Sequence, residues 1–220
     1  MNDARRWFDR IAHDLRGPLT PLQTAAYLLK NEHDQLDPPR RRELAGIIER
    51  QAQRLARMIE ELDDWSRIRQ QRLLGTRAPI DLASCIDLAI SAVPNCLIEP
   101  EVAPDCVGAC IDCDQLRLVQ AFKTLLEHAW RRDPGARVRI ARDRDALQVL
   151  IEDHGEPIDP TLQASLLEQP DPAPDDEGLG LRLLIARAIV EAHGGTLAVE
   201  PADAGLTLRC NLPETAGSCS

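Results

Sequence analysis

Seven apolar residues near the N-terminus recur at alternating spacings of four and three: Phe8, Ala12, Leu15, Leu19, Leu22, Ala26 and Leu29. Only a helix lying along a bundle or coiled-coil seam sustains that repeat, because a mean period of about 3.5 residues returns each rung to one face. The ladder breaks at Asp37, Pro38 and Pro39 and resumes as Leu44, Ile48, Gln51, Leu55, Met58, Leu62 and Trp65, with Gln51 the single polar rung. Two long helices separated by so short a break predict an antiparallel hairpin. Ile11, Ile47 and Ile59 widen the stripes beyond what one partner helix covers. Two hairpins are therefore expected to pair as a homodimeric four-helix bundle.

Beyond residue 77 the pattern changes. Asp112 to Arg132 predicts a helix with Leu116, Val119, Phe122, Leu126 and Ala129 on one face, and Val138 to Ile140 and Leu147 to Ile151 predict strands. Leu179 to His193 predicts a helix stopped by Gly194 and Gly195, followed by a hairpin of Thr196 to Glu200 and Leu206 to Leu212. The charge shifts at the same place. Residues 1–77 carry 15 Lys/Arg against 12 Asp/Glu, and residues 78–220 carry 11 against 24. Two domains are expected, 1–77 and 78–220.

The acidic second part argues against a nucleic-acid partner, since phosphate backbones need a basic face. Apolar runs such as Leu181 to Val190 are broken by Arg182 and Arg187, well short of the ~20 residues a membrane span requires. The charged N-terminal stretch has no apolar core of a signal peptide. Aromatics make up only 3% of the chain, so the core must be aliphatic, which suits helix bundles and helix-on-sheet layers. The expected class is α+β: a helical hairpin forming a dimeric four-helix bundle, followed by an α/β sandwich. Seven irregularly spaced cysteines predict free thiols and a cytoplasmic setting. Cys106, Cys110 and Cys113 cluster without a fourth ligand at matching spacing, so small buried hydrophobes are expected there, not zinc.

His13 falls beside the first seam, at the flank of the bundle, and is followed by Asp14. Such a pair offers a nucleophile with a base beside it, or simply a solvated surface pair. The surrounding string F-D-R-I-A-H-D-L-R-G-P-L-T-P-L, Phe8 to Leu22, closely resembles the phosphoacceptor box of sensor histidine kinases. L-D-D-W-S-R-I, Leu62 to Ile68, is similar to the exit of that family's hairpin. The resemblance implies that His13 is phosphorylated on a ring nitrogen and that Asp14 acts as general base. Pro18 removes one helix hydrogen bond just after the reactive residue. Where relatives place Thr or Asn to position a dephosphorylating water stands Gly17, so phosphatase activity by that route is not expected.

The second part is similar to the ATP-binding domain that histidine kinases share with gyrase-type ATPases. D-H-G-E-P-I, Asp153 to Ile158, resembles a D-x-G-x-G-I motif whose Asp accepts a hydrogen bond from the adenine amine and whose Gly lets the backbone approach the base. E-G-L-G-L-R-L-L-I, beginning at Glu177, resembles the family's G-L-G-L helix. Gly178 and Gly180 at a helix entrance, followed by Leu181, offer free N–H groups and a favourable dipole to phosphate. T-L-L-E-H-A-W-R, Thr124 to Arg131, aligns with a helix N-L-x-x-N-A-x-K; Arg131 matches its basic residue and is expected to meet a phosphate.

Three departures concern the nucleotide. His128 stands where the family places the Asn that holds Mg²⁺, and an imidazole suits that hard cation poorly, which leaves Glu127 or a water to substitute. Between Gly155 and Leu181 lie Glu156, Asp159, Glu168, Asp171, Asp175, Asp176 and Glu177, with no Lys or Arg, a segment expected to repel a triphosphate. Pro157 replaces the motif's second Gly, and Leu166 and Leu167 replace lid Phe residues. The implied activity is an ATP- and Mg²⁺-dependent kinase that phosphorylates His13 and passes the phosphoryl group to an Asp of a response-regulator receiver domain. The alternative is an ATP-independent histidine phosphotransferase or docking scaffold of the same fold. A gyrase-type ATPase is disfavoured, because Thr124 occupies the position of its catalytic Glu.

Overall fold

The computed structural model describes residues 2–31, 35–144, 146–171, 174, 178–201 and 205–215. By packing, the chain divides into two units: Met1–Asp64 with Asp171–Gly180, and Trp65–Pro170 with Leu181–Ser220.

The first unit is dominated by α1 (Asn2–Asn31) and the greater part of α2 (Pro38–Arg69). The break read at Asp37 is the start of α2. The Asp37 carboxylate accepts from the Arg40 N–H at 2.8 Å, while Pro38 and Pro39 occupy first-turn positions where no N–H is needed. The second ladder is at least half-buried along its whole length, with Leu44 and Met58 fully buried. In the first ladder Leu15, Leu22 and Leu29 are at least half-buried as expected, but the rungs between them are displaced by one residue. Ile11, Pro18 and Ala25 take the buried positions, while Ala12, Leu19 and Ala26 are exposed; the side chain of Phe8 lies outside the described residues. Spacing alone cannot tell which of two adjacent heptad stripes faces the partner within one hairpin, and α1 carries both.

In the second unit, β1 (Ala78–Asp81) pairs antiparallel with β3 (Cys110–Cys113) as a two-stranded sheet. The remaining strands are β2 (Glu101–Val102), β4 (Arg137–Asp143), β5 (Ala146–Asp153), β6 (Thr196–Pro201) and β7 (Leu206–Pro213), ordered β2-β4-β5-β7-β6. The β2–β4 pair is parallel and the others antiparallel, a mixed sheet as expected. Leu147, Val149, Ile151 and Asp153 of β5 and Leu206, Leu208, Cys210 and Leu212 of β7 are buried in strict alternation, the mark of a sheet covered on one face.

Three helices, α3 (Leu82–Ser91), α4 (Gln115–Arg132) and α6 (Arg182–Ala192), pack together beside that sheet, and α5 (Pro160–Ser165) is a short helix near β6. Asp81, Asp114 and Asp159 cap α3, α4 and α5, each accepting a backbone N–H from the first turn. Asp112 and Cys113, expected to open a helix, instead end β3, and α4 starts one residue after its Asp114 cap. Its buried face is Leu118, Ala121, Phe122, Leu125, Leu126 and Ala129, while Leu116 is 83% exposed. Likewise α6 begins at Arg182, later than the apolar pattern suggested; Gly194 and Gly195 end it as expected, donating to Glu191 and Val190 carbonyls.

Cys110 is disulfide-bonded, against the expectation of free thiols throughout; spacing does not reveal which sulfurs a fold brings together. Cys85, Cys96, Cys106, Cys113 and Cys210 are free. Burial pushes the Cys85 thiol up to about 12 and the Cys113 thiol to about 11, so both behave as small hydrophobes. No helix among the described residues is long and apolar enough to cross a membrane.

Candidate functional site

His13 projects from α1 with 85% of its side chain exposed. Its Nδ1 lies 3.3 Å from Asp14 Oδ1, and Arg10 Nε lies 3.5 Å from Asp14 Oδ2. An ionised carboxylate can only accept, so in the neutral imidazole Nδ1 carries the proton and Nε2 the lone pair. Pro18 and Pro21 lie inside α1. Lacking N–H groups, they leave the carbonyls of Asp14 and Gly17 without their usual i+4 donors. The first turn after His13 is thus the least tied part of the helix.

The sequence-derived nucleotide residues divide between the two units. In the first, Gly180 has φ +76°, and a Cβ there would meet the Asp171 carbonyl oxygen at 2.2 Å. That close approach continues as a hydrogen bond from Asp171 N to the Gly180 oxygen at 3.0 Å. Between the two glycines, the Leu179 N–H reaches both Glu61 carboxylate oxygens at 3.2 and 3.3 Å, and Glu61 is buried. Arg10 donates to the Asp171 carbonyl at 3.2 Å. Asp175, Asp176 and Glu177 lie outside the described residues, so the expected charge of that part of the lid is not located.

In the second unit, Asp153 ends the buried alternation of β5, which carries its carboxylate inside. Its Oδ2 accepts from Arg132 Nε at 3.0 Å and its Oδ1 from the Gly155 N–H at 3.1 Å. Arg132 also donates to the Glu156 carbonyl at 2.6 Å. One residue on, Asp133 accepts from the His154 N–H at 2.9 Å. The backbone N–H groups of Gly135 and His154 hold the Asp133 carboxyl below its ordinary value. The D-x-G turn is therefore clamped to the C-terminus of α4.

Along α4, half-buried His128 follows Glu127, whose carboxylate is shared by three cations. Lys123 Nζ is 3.6 Å away, Arg131 Nη2 3.7 Å, and Arg182 donates to it directly. Arg131, expected to meet phosphate, thus begins from a pairing with Glu127. Leu181, the buried cap residue of α6, supplies no side-chain bond to the first N–H groups of that helix. These residues do not fit a protein-held Mg²⁺. The expected position carries the His128 imidazole, the substitute oxygen donor Glu127 is already met by three positive charges, and Mg²⁺ demands unencumbered hard oxygens. Among the described residues no group of three or more His, Cys, Asp or Glu side chains is arranged to hold a metal.

Sequence reasoning missed Arg132, Lys123, Arg182 and Glu61. Arg132 had one signal, a second basic residue in the last turn of a helix, but nothing in its spacing names Asp153 as its partner. A cavity of about 400 Å³ beside α5 and β6, lined by Gln163, Leu167, Arg187 and Val199 among others, includes none of the site residues.

Residues 3–71 match the family model of the His Kinase A (phospho-acceptor) domain, and residues 113–216 that of the histidine kinase-, DNA gyrase B- and HSP90-like ATPase. The chain is 28% identical over 227 residues to the sensor histidine kinase TrcS of Mycobacterium tuberculosis, covering 95% of this chain and 43% of TrcS. It is 30% identical over 200 residues to the histidine-protein kinase/phosphatase MprB of Mycolicibacterium smegmatis, covering 86% of this chain and 40% of MprB. It therefore spans less than half the length of these relatives. In fold it is similar to the histidine kinase AdeS of Acinetobacter baumannii, with a TM-score of 0.70 at 20% identity over 91% of this chain and 97% of that one. The histidine kinase ThkA, solved in complex with response regulator protein TrrA, gives 0.69 at 21% identity over 94% of this chain and 61% of that one.

Proposed function

The chain belongs to the sensor histidine kinases of two-component systems, and on that premise we propose that it transfers the γ-phosphoryl group of ATP to His13 and then to an aspartate of a response-regulator receiver domain. The observation that carries this reading is the exposed His13 imidazole, oriented through Nδ1 by Asp14. Nε2 attacks the γ-phosphorus; the new N–P bond forms as the bond to the leaving ADP oxygen breaks. The imidazole becomes cationic during attack, and Asp14 stabilises that charge or takes the Nδ1 proton. Passage onward reverses the roles: the receiver carboxylate attacks phosphorus, the N–P bond breaks, and His13 leaves as neutral imidazole with its proton on Nδ1, returned by Asp14 where it had been taken.

In the same reading, residues 1–77 form the dimerisation and phosphoacceptor domain and residues 78–220 the ATP-binding domain. Asp153 and Gly155 receive the base. Gly178, Gly180, Leu181 and Arg131 receive the phosphates, whose charge is met by side-chain cations and the α6 N-terminus. His128 is not assigned a metal, and no step is routed through Mg²⁺. The exposed stripe Ala12, Leu19 and Ala26, with Ile59 at 53% exposure, supports a homodimer through the hairpins. A cytoplasmic site of action follows from the use of ATP and of a receiver domain.

The test is incubation with γ-labelled ATP. Label is expected on the wild-type chain as an acid-labile, alkali-stable adduct, absent from His13→Gln. Asp14→Asn should slow its formation on the order of 10²-fold. Label that persists in His13→Gln sinks the assignment. A second reading, a phosphotransferase that no longer uses ATP, is favoured by one observation, the Arg132 guanidinium on the carboxylate meant for the base. It predicts no label from ATP but phosphorylation of His13 by a phosphorylated receiver domain.

A further inference from the structure

Resting on the reading that ATP docks at Asp153, we propose that Arg132 gates nucleobase recognition: the base amine reaches Asp153 only after the Arg132 guanidinium has moved off it. The period of β5 is the starting point. Leu147, Val149, Ile151 and Asp153 share the buried face, and the Asp153 side chain is only 1% exposed. Both carboxylate oxygens are bonded, one to Arg132 Nε at 3.0 Å and one to the Gly155 N–H at 3.1 Å.

Arg132 is held at a second point by the Glu156 carbonyl at 2.6 Å. The turn cannot simply drop away to admit a ligand beneath the guanidinium. A Cβ on Gly155 would already stand 2.9 Å from the Arg132 carbonyl oxygen, and Asp133 ties the His154 N–H to the same helix end. The movable part is the Arg132 side chain itself, 20% exposed and able to swing into water.

An exocyclic amine is a neutral donor, whereas the guanidinium is charged and makes the stronger bond to a carboxylate. The base alone therefore does not displace Arg132. Binding draws on the minor fraction of molecules in which the pair is open, and the apparent dissociation constant rises by the inverse of that fraction. An open fraction of about one in ten lowers ATP affinity about tenfold. It also removes most of the advantage that a 6-amino purine holds over one without the amine. This second effect separates a gate from a mere clamp between α4 and β5, which would leave base selectivity alone.

The experiment measures calorimetric binding of ATP and of purine riboside triphosphate, which lacks the 6-amino group, to the full chain. Wild type is expected to bind the two within about twofold. Arg132→Ala should tighten ATP about tenfold and leave the analogue unchanged. Arg132→Gln, which keeps a neutral donor beside the buried carboxylate, should fall between and guards against misfolding of the alanine variant. Wild type that already prefers ATP tenfold, or variants that bind both ligands as wild type does, overturns the gate while leaving ATP binding intact. Absence of binding by wild type and variants alike overturns the ATP reading and the gate with it. If neither variant folds, the wild-type comparison decides alone, because any clear preference for ATP contradicts an occupied Asp153.

Discussion

A methyl group at residue 205 would stand 1.9 Å from the carbonyl oxygen of Asp153, and the backbone there has φ +76°. Gly205→Ala must both enter a sparsely allowed conformation and push on the strand end that carries the buried Asp153 carboxylate. The expected loss is about 2 kcal/mol or more, read as a lower urea midpoint. Gly17 is the opposite case. Nothing lies within 4 Å of a Cβ at that position, so Gly17→Ala should stabilise α1 by roughly 1 kcal/mol, seen as a raised melting temperature. The sequence shows two glycines, and only the structure gives their substitutions opposite signs. The same limit applies to the site. His13, Asp14, Asp153 and the paired glycines, the residues of the proposed site, are legible as candidates because their neighbours form motifs. Arg132 and Glu61 are not, because their partners lie 21 and 118 residues away along the chain.

Elements were legible where their period was strong and their ends carried a chemical signal. The break between the long helices at Asp37, the α6 stop at Gly194 and the closing β6–β7 hairpin are all readable. Helix α3 and strands β1, β2 and β3 were not singled out: a ten-residue helix and strands of two to four residues are too short for a period to stand out. Leu116, expected on the buried face of a helix opening at Asp112, lies in the first turn of α4 with its side chain in solvent. What anchors the true start of α4 is His193, buried at the end of α6. Its Nε2 accepts from the Asp114 N–H at 3.0 Å, and its Nδ1 donates to the Ile189 carbonyl at 2.7 Å. An acceptor nitrogen facing an N–H cannot be protonated without losing that bond. Burial first, with Arg77 nearby, lowers the His193 pKa, against the smaller opposite pulls of the Ile189 bond, Asp114 and Asp112. The folded state therefore binds fewer protons than the unfolded one. Its contribution is complete above the ordinary value of 6.5 and is lost as pH falls below it. Between pH 7.5 and 5.5 the wild-type melting temperature should fall more steeply than that of His193→Gln, although the variant starts lower. Parallel profiles would remove His193 from the account.

For the whole chain, the hairpin's double stripe predicts a dimer at micromolar concentration by light scattering. Leu55, half-buried within one chain, lies on the ladder, and Leu55→Asp should convert the dimer to monomer by placing an unpaired charge in a core layer. A monomeric wild-type chain would contradict the bundle. The order β2-β4-β5-β7-β6 has a further consequence, one of timing. The last described strand, Leu206–Pro213, lies between β5 and β6, so a ribosome that has not yet released residue 213 holds a sheet that lacks an interior strand. β6 then has no neighbour at all, and β5 presents an unpaired edge of backbone N–H and C=O groups. The helical hairpin, made first and closed by local contacts, is complete long before. On the proposed reading, a nascent chain therefore offers its hairpin face to other copies while its second unit is still incomplete, and subunits are chosen during translation, before that unit has folded.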